Sequence, residues 1–325
     1  MQNEMKWRGL ELLKDGAVDR ILGWRAGQFV YDITPDVFSD PEDLEKNFVY
    51  NEFCGANLSK YLIAESAKEG KVAVFLKPCD TYSFNQLCTE HRIHRENVYV
   101  IGIECYGKVS VDALRQRGID GITGIRSEMG SLKIDTIYGG ESVPAMEVYA
   151  ERCRNCKSKK HVVFDELIGA DGEVADDCDR FDMVEKLEQM SAQERFEFWR
   201  GELSRCIRCN ACRNVCPACS CEKCVFDNPK SGVLNKAAAD SFEENMFHII
   251  RAYHVAGRCT DCGECSRVCP EHIPLHLLNR KFIKDYNELY GDFVAGESVG
   301  QMSPVADFTT DRDAEPSVVQ KGGDQ

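Results

Sequence analysis

The pattern of hydrophobic and polar positions changes character along the chain. Trp7 to Leu13 carry apolar residues at helical spacing, and turn-rich sequence follows around Pro35 and Pro41. From about residue 51 to 125 two kinds of segment alternate. Leu58 to Lys68 and Asp80 to Glu90 read as helices, whereas Lys71 to Leu76 and Asn97 to Ile103 are short apolar runs that suit buried strands. Strand, helix, strand predicts a parallel βαβ unit. Residues 125–180 are richer in glycine, with short strands expected, for instance, at Ser131 to Tyr138 and His161 to Phe164.

Beyond this point the period is helical. Ser191-Ala-Gln-Glu194 is a capping box, and Phe196, Trp199 and Leu203 follow at helical spacing. A second amphipathic helix puts Phe242, Met246, Ile249 and Tyr253 on one face and ends near Gly257. A third runs from about Pro274 to Tyr290. From about Gly296 the chain is polar, which reads as a flexible tail or a partner-docking peptide. The expected fold class is α+β. An N-terminal α/β domain spans 1–185, a mostly helical domain 186–295 and a flexible tail 296–325.

A length of 325 residues suits two domains better than three. The 40 Lys and Arg are outnumbered by 54 Asp and Glu, a net charge of −14. Such a surface repels phosphate backbones and anionic lipid, so a nucleic-acid partner is not expected. Met1 to Gly16 lacks the apolar core of a signal peptide, and no stretch approaches the ~18–20 apolar residues that span a bilayer. A cytoplasmic protein without direct membrane insertion is expected.

The 18 cysteines narrow the class. In a reducing compartment, closely spaced cysteines are metal ligands more often than disulfides. Cys206-x2-Cys209-x2-Cys212-x3-Cys216-Pro217 recurs as Cys259-x2-Cys262-x2-Cys265-x3-Cys269-Pro270. Three thiolates two residues apart reach three corners of a cubane from one curled loop, and the fourth, before proline, crosses to the other cluster. The expected ligand sets are Cys206, Cys209, Cys212 and Cys269 for one 4Fe-4S cluster, and Cys259, Cys262, Cys265 and Cys216 for the other. Paired CxxC also makes zinc sites, but the tandem motif is far more specific to cubanes. The 43 positions from Cys216 to Cys259 contain a helix. That resembles the helical ferredoxin module of fumarate reductase iron–sulfur subunits and heterodisulfide reductase subunits. The overlap of Cys212, Cys216 and Cys219 with a radical-SAM triplet is rejected, because it lies inside a complete ferredoxin run.

Other thiols are candidates. Cys219, Cys221 and Cys224 extend the first run as CxCxxC, either as ligands of a fourth cluster completed by Cys54 or Cys178, or as buried thiols. Cys79 follows the first apolar strand and Cys105 ends the second, where parallel sheets hold ligands. With Cys153 and Cys156 they could bind a third cubane, although a cysteine beside a strand is more often a small hydrophobe. Cys54 and Cys88 take that reading by default. The sequence holds no GxGxxG, no P-loop and no HExxH, so no catalytic residues are assigned.

Asn57-Leu-Ser-Lys-Tyr-Leu62, Lys77-Pro-Cys-Asp80, Val100-Ile-Gly-Ile-Glu-Cys105 and Cys153-Arg-Asn-Cys156, in that order, resemble the beta-subunit family of deazaflavin-coenzyme hydrogenases and formate dehydrogenases. The run from Cys206 to Cys224 is similar to the ferredoxin extension of anaerobic members. The resemblance implies an electron-relay subunit of a multi-subunit oxidoreductase. Its partners would be hydrogenase, formate dehydrogenase, heterodisulfide-reductase-like or flavoprotein subunits. It also implies FAD, but the 49 residues between Cys156 and Cys206 are few for the family's flavin-binding half. An FAD-containing subunit that itself exchanges hydride with a soluble cofactor stays the alternative.

Overall fold

The computed structural model describes residues 1–173, 179–228, 230 and 241–306, with the backbone alone for 241–245. Among the described residues eight strands form two sheets. The larger takes the order β2-β1-β3-β4-β8, from Ile33–Phe38, Arg20–Ala26, Val72–Leu76, Val98–Ile103 and Glu166–Ile168. β1, β3, β4 and β8 are mutually parallel, and β2 closes the edge as an antiparallel partner of β1. β3 is buried along its whole length, as a central parallel strand must be. The helix Pro78–Thr89 connects it to β4, so the predicted βαβ unit is present. Ile21, Leu22, Phe75, Leu76, Val100 and Ile101 belong to the core around this sheet. A second, antiparallel sheet orders Ile122–Glu128 (β5), Ser131–Thr136 (β6) and Gly139–Pro144 (β7), with Leu132 and Ile134 buried beneath it.

Several expectations need correction. The helix expected over 58–68 is a 3-10 turn, Leu58–Tyr61, followed by one helical turn, Leu62–Glu65. His161 to Phe164 is not a strand, because side chains satisfy its backbone: Asp171 Oδ1 accepts from the His161 N–H at 3.0 Å and Thr81 Oγ1 from that of Val162 at 3.2 Å. The ladder resumes at β8.

From Asp182 onward the regular elements described are helices. Ala192–Leu203 begins with the expected capping box, in which Ser191 Oγ accepts from Glu194 N and Glu194 Oε2 from Ser191 N. Ser241–Val255 and Leu275–Tyr290 complete the frame, and Val184 and Leu187 of Asp182–Gln189 pack on Leu277. The face of Ser241–Val255 turned inward is not the expected one. Phe247, His248, Arg251, Ala252 and Val255 are buried, whereas Ile249 and Tyr253 are exposed and the Phe242 side chain lies outside the described residues. Among the described residues no helix is long and apolar enough to cross a membrane.

The two halves interlock. Ser83 Oγ and Thr260 Oγ1 share a buried hydrogen bond of 2.8 Å, and Arg258 Nε donates to Glu90 Oε1 at 2.7 Å. The stretch expected as a tail begins against the same helix. Gly300 N donates to Thr89 Oγ1 at 2.9 Å, and residues 307–325 lie outside the described residues. Gly296 has φ +76°, and a Cβ there would stand 1.9 Å from the Tyr82 carbonyl oxygen. Gly296→Ala should therefore lift this strap at a cost of about 1–3 kcal/mol. Urea unfolding of the complete chain should show the loss, with faster amide exchange around Thr89.

Candidate metal centres

The parallel pairing of β3 and β4 sets Leu76 opposite Gly102, so the segments leaving both strands emerge side by side. Cys79 lies in the first turn of Pro78–Thr89 and Cys105 just past β4. Cys153 and Cys156 arrive from the turn Glu151–Arg154 and the loop after it. These four thiols line one cavity, together with Lys108, Arg152 and Cys262. Lys77, buried beside them, donates to Asp80 Oδ2 and to the Ala56 carbonyl, both at 2.7 Å. Burial pushes the Cys79 thiol well above its ordinary value, and it raises that of Cys156 to about 11. Iron would have to displace these protons, since the thiolate is the ligand form.

The tandem runs fold into two loops of the same backbone shape. Arg208 and Asp261, at the third motif position, have φ of 55° and 58°. Asn210 and Gly263, at the fifth, have φ of 62° and 66°. Left-handed residues other than glycine cost energy and persist where a site over-determines them. Here they turn amide N–H groups toward sulfur, as in an anion-binding nest. Arg208 N donates to Cys206 Sγ at 3.4 Å, and the Asp261 amide holds Cys259 in the same way. Short helices, Ala211–Val215 and Glu264–Arg267, follow.

Cys269 of the second run joins Cys206, Cys209 and Cys212 of the first around one cavity, closed by Phe247 and Ile273. Cys216 of the first run packs in one group with Cys259, the first thiol of the second run, which continues with Cys262 and Cys265. Burial raises these three thiols, and Cys216 is among the neighbouring charges acting on each. A hydrogen bond from Cys219 holds the Cys216 thiol below its ordinary value. Among the described residues no three His, Cys, Asp or Glu side chains converge on a single ion position. Cys206, Cys209, Cys212 and Cys269 line a space instead, as do Cys79, Cys105, Cys153 and Cys156.

The donor set also fits a buried anion. Arg251 is 1% exposed, and among the described residues its Nε, Nη1 and Nη2 find no oxygen or nitrogen acceptor. The charges acting on it most strongly are the thiols Cys265, Cys212, Cys216 and Cys219. His248 Nε2 stands 3.2 Å from Cys206 Sγ. Burial, with Arg251 and Arg208 nearby, lowers its pKa to about 3 and keeps the ring neutral.

The CxCxxC thiols have three different surroundings. Cys219 packs with Cys216 and Val255, Cys221 lines an open groove beside Lys60 and Arg92, and Cys224 packs against the apolar group around Phe226. Cys54 is buried in the core of the larger sheet, where Asn51 N donates to its sulfur, and Cys88 packs against the same core. Cys178 lies outside the described residues.

Sequence reasoning passed over the charges that hold the two halves together. Arg152 donates to the carbonyls of Gly55, at 2.6 Å, and Cys262, at 2.7 Å, and pairs with the fully buried Glu264. Arg267 grips the same carboxylate at 2.7 and 2.8 Å. Although burial opposes its ionisation, Arg267 and Arg152 hold Glu264 down to about 2. A depressed carboxylate stabilises above its unfolded pKa of about 4.3, and that stability is lost as pH falls toward 2. Glu264→Gln should cost ~3–5 kcal/mol near neutral pH, because Arg152 is left buried without its counter-charge. Urea titrations from pH 7 to 3 should also show a shallower acid slope in the variant.

Residues 202–273 match the family described as 4Fe-4S dicluster domain. The F420-dependent formate dehydrogenase subunit beta of Methanocaldococcus jannaschii is 24% identical over 84% of this chain and 86% of its own length. The F420-dependent formate dehydrogenase 1 subunit beta of Methanococcus maripaludis is 24% identical over 66% of this chain and 71% of its own. A chain of the xenon-derivatised F420-reducing [NiFe] hydrogenase complex from Methanosarcina barkeri overlays with a TM-score of 0.37 at 16% identity, covering 46% of this chain and 57% of that one. The chain is thus a relative, along most of its length, of the beta subunits of F420-dependent formate dehydrogenases, with a 4Fe-4S dicluster domain in its C-terminal half.

Proposed function

We propose that this protein is a cytoplasmic electron-relay subunit of a formate dehydrogenase- or hydrogenase-like complex. Cys206, Cys209, Cys212 and Cys269 ligate one cubane, and Cys259, Cys262, Cys265 and Cys216 the second. Cys79, Cys105, Cys153 and Cys156 ligate a third. The observation that carries this reading is that Cys269 lines one cavity with Cys206, Cys209 and Cys212 while Cys216 packs with Cys259, which supports the exchange a dicluster ferredoxin requires. The order of the sites supports relay. Cys262 of the second cubane also lines the Cys79 cavity, and Cys212 and Cys265 share one apolar group. Three carriers would then stand in series, from the sheet edge to the helical end. Cys219, Cys221 and Cys224, whose surroundings differ, are left out of the ligand sets.

One observation favours an FAD-containing subunit as the second reading. A cleft of 340 Å³ between the halves combines Tyr31 and Phe53 with Lys108, Arg152, Arg267 and His272, an aromatic and cationic lining that suits a flavin nucleotide. Extraction of flavin from purified protein distinguishes the two.

Anaerobically reconstituted chain should hold about 12 iron atoms with equal sulfide, ~4 per cubane. A ceiling of about eight would remove the Cys79 site. Cys216→Ala should abolish the EPR signal of the second-run cubane and spare the other, and the opposite pattern would refute the crossing. Without partners the chain should be reducible by dithionite, yet turn over neither formate nor hydrogen. Steady oxidation of either by the chain alone would promote the flavin reading.

A further inference from the structure

Among the described residues Arg251 is a buried cation without a carboxylate partner. It is carried on the inner face of Ser241–Val255, between Phe247, which packs in one group with Cys212 and Cys265, and Val255, which packs in one group with Cys216 and Cys259. The three thiols that act on it most strongly belong to both ligand sets, Cys212 to the first and Cys216 and Cys265 to the second. Arg152 and Arg280, by comparison, each have a carboxylate of their own in Glu264 and Asp261. A guanidinium cannot shed its proton inside a protein, so Arg251 must be compensated by negative charge at these sulfurs.

We infer that Arg251 is the shared counter-ion of the two cubanes and sets both of their reduction potentials. The inference rests on the eight-cysteine assignment above. Reduction adds one electron, hence one negative charge, to a cluster. A fixed cation in a low-dielectric interior stabilises that added charge, and one cation between two clusters acts on both. Arg251 is therefore a positioning residue for charge, acting through thiolates it does not ligate.

The test is a mediated redox titration of the reconstituted full chain, with dithionite as reductant and EPR as readout. Wild type is compared with Arg251→Gln, Arg251→Met and Arg251→Lys, and iron and sulfide are counted in each. In the Gln and Met variants both midpoints should fall by at least tenfold in the reduction equilibrium, ~59 mV for one electron. The Lys variant should stay within threefold of wild type. Unchanged midpoints at full iron content, a shift confined to one cluster, or a Lys variant that falls as far as Met would each overturn the inference. If Gln and Met lose both clusters while Lys keeps them, the requirement is for charge, as inferred. Loss in Lys as well overturns it. A wild-type chain that binds fewer than about eight iron atoms refutes the cubane assignment itself, and this inference with it.

Discussion

Burying negative charge is the constraint on which this architecture depends. Thiolates removed from water are costly unless fixed cations and N–H dipoles replace the lost hydration. The charged side chains buried here follow that need. Lys77 stands behind Cys79, Arg152 between the Cys79 cavity and the Cys262 loop, and Arg251 beside thiols of both tandem loops. The same groups serve as joints. Arg152 reaches the Gly55 carbonyl of the sheet half while holding Glu264 of the helical half. The junction between the halves is therefore polar and directional, where a purely apolar seam would tolerate sliding.

The parts legible in the sequence were those whose chemistry writes itself into spacing. Tandem CxxCxxCxxxCP implied two loops of one shape, and the backbone of the two runs repeats in that way, with Cys269 lining a cavity beside Cys206, Cys209 and Cys212. β3 and β4 were legible because a strand covered on both faces has to be continuously apolar. β1 and β2 were not. Arg25 and Asp36 pair across them, and Pro35 lies within β2, so the hairpin reads as turn-rich sequence. The face of Ser241–Val255 was misread for a related reason. A periodicity argument assigns apolar residues to the interior, but this interior needs charge and hydrogen-bond donors beside sulfur. His248 and Arg251 take the inner positions, and Ile249 and Tyr253 are left to line an apolar groove with Trp199 and Phe282.

The two loops show how little side-chain identity a shared backbone requires. Arg208 corresponds to Asp261 and Asn210 to Gly263, yet all four adopt left-handed φ. What repeats is the presentation of amides to sulfur, while the side chains are released for other tasks. Asp261 binds Arg280 at 2.8 Å, and Arg208 lies over the Phe247 ring.

The wall that Cys262 contributes to the Cys79 cavity also imposes an order on biogenesis. During translation the thiols at 79 and 105 leave the ribosome long before residue 262 has been made. Until the helical half docks, their pocket lacks a side and stands open to oxygen and stray metals.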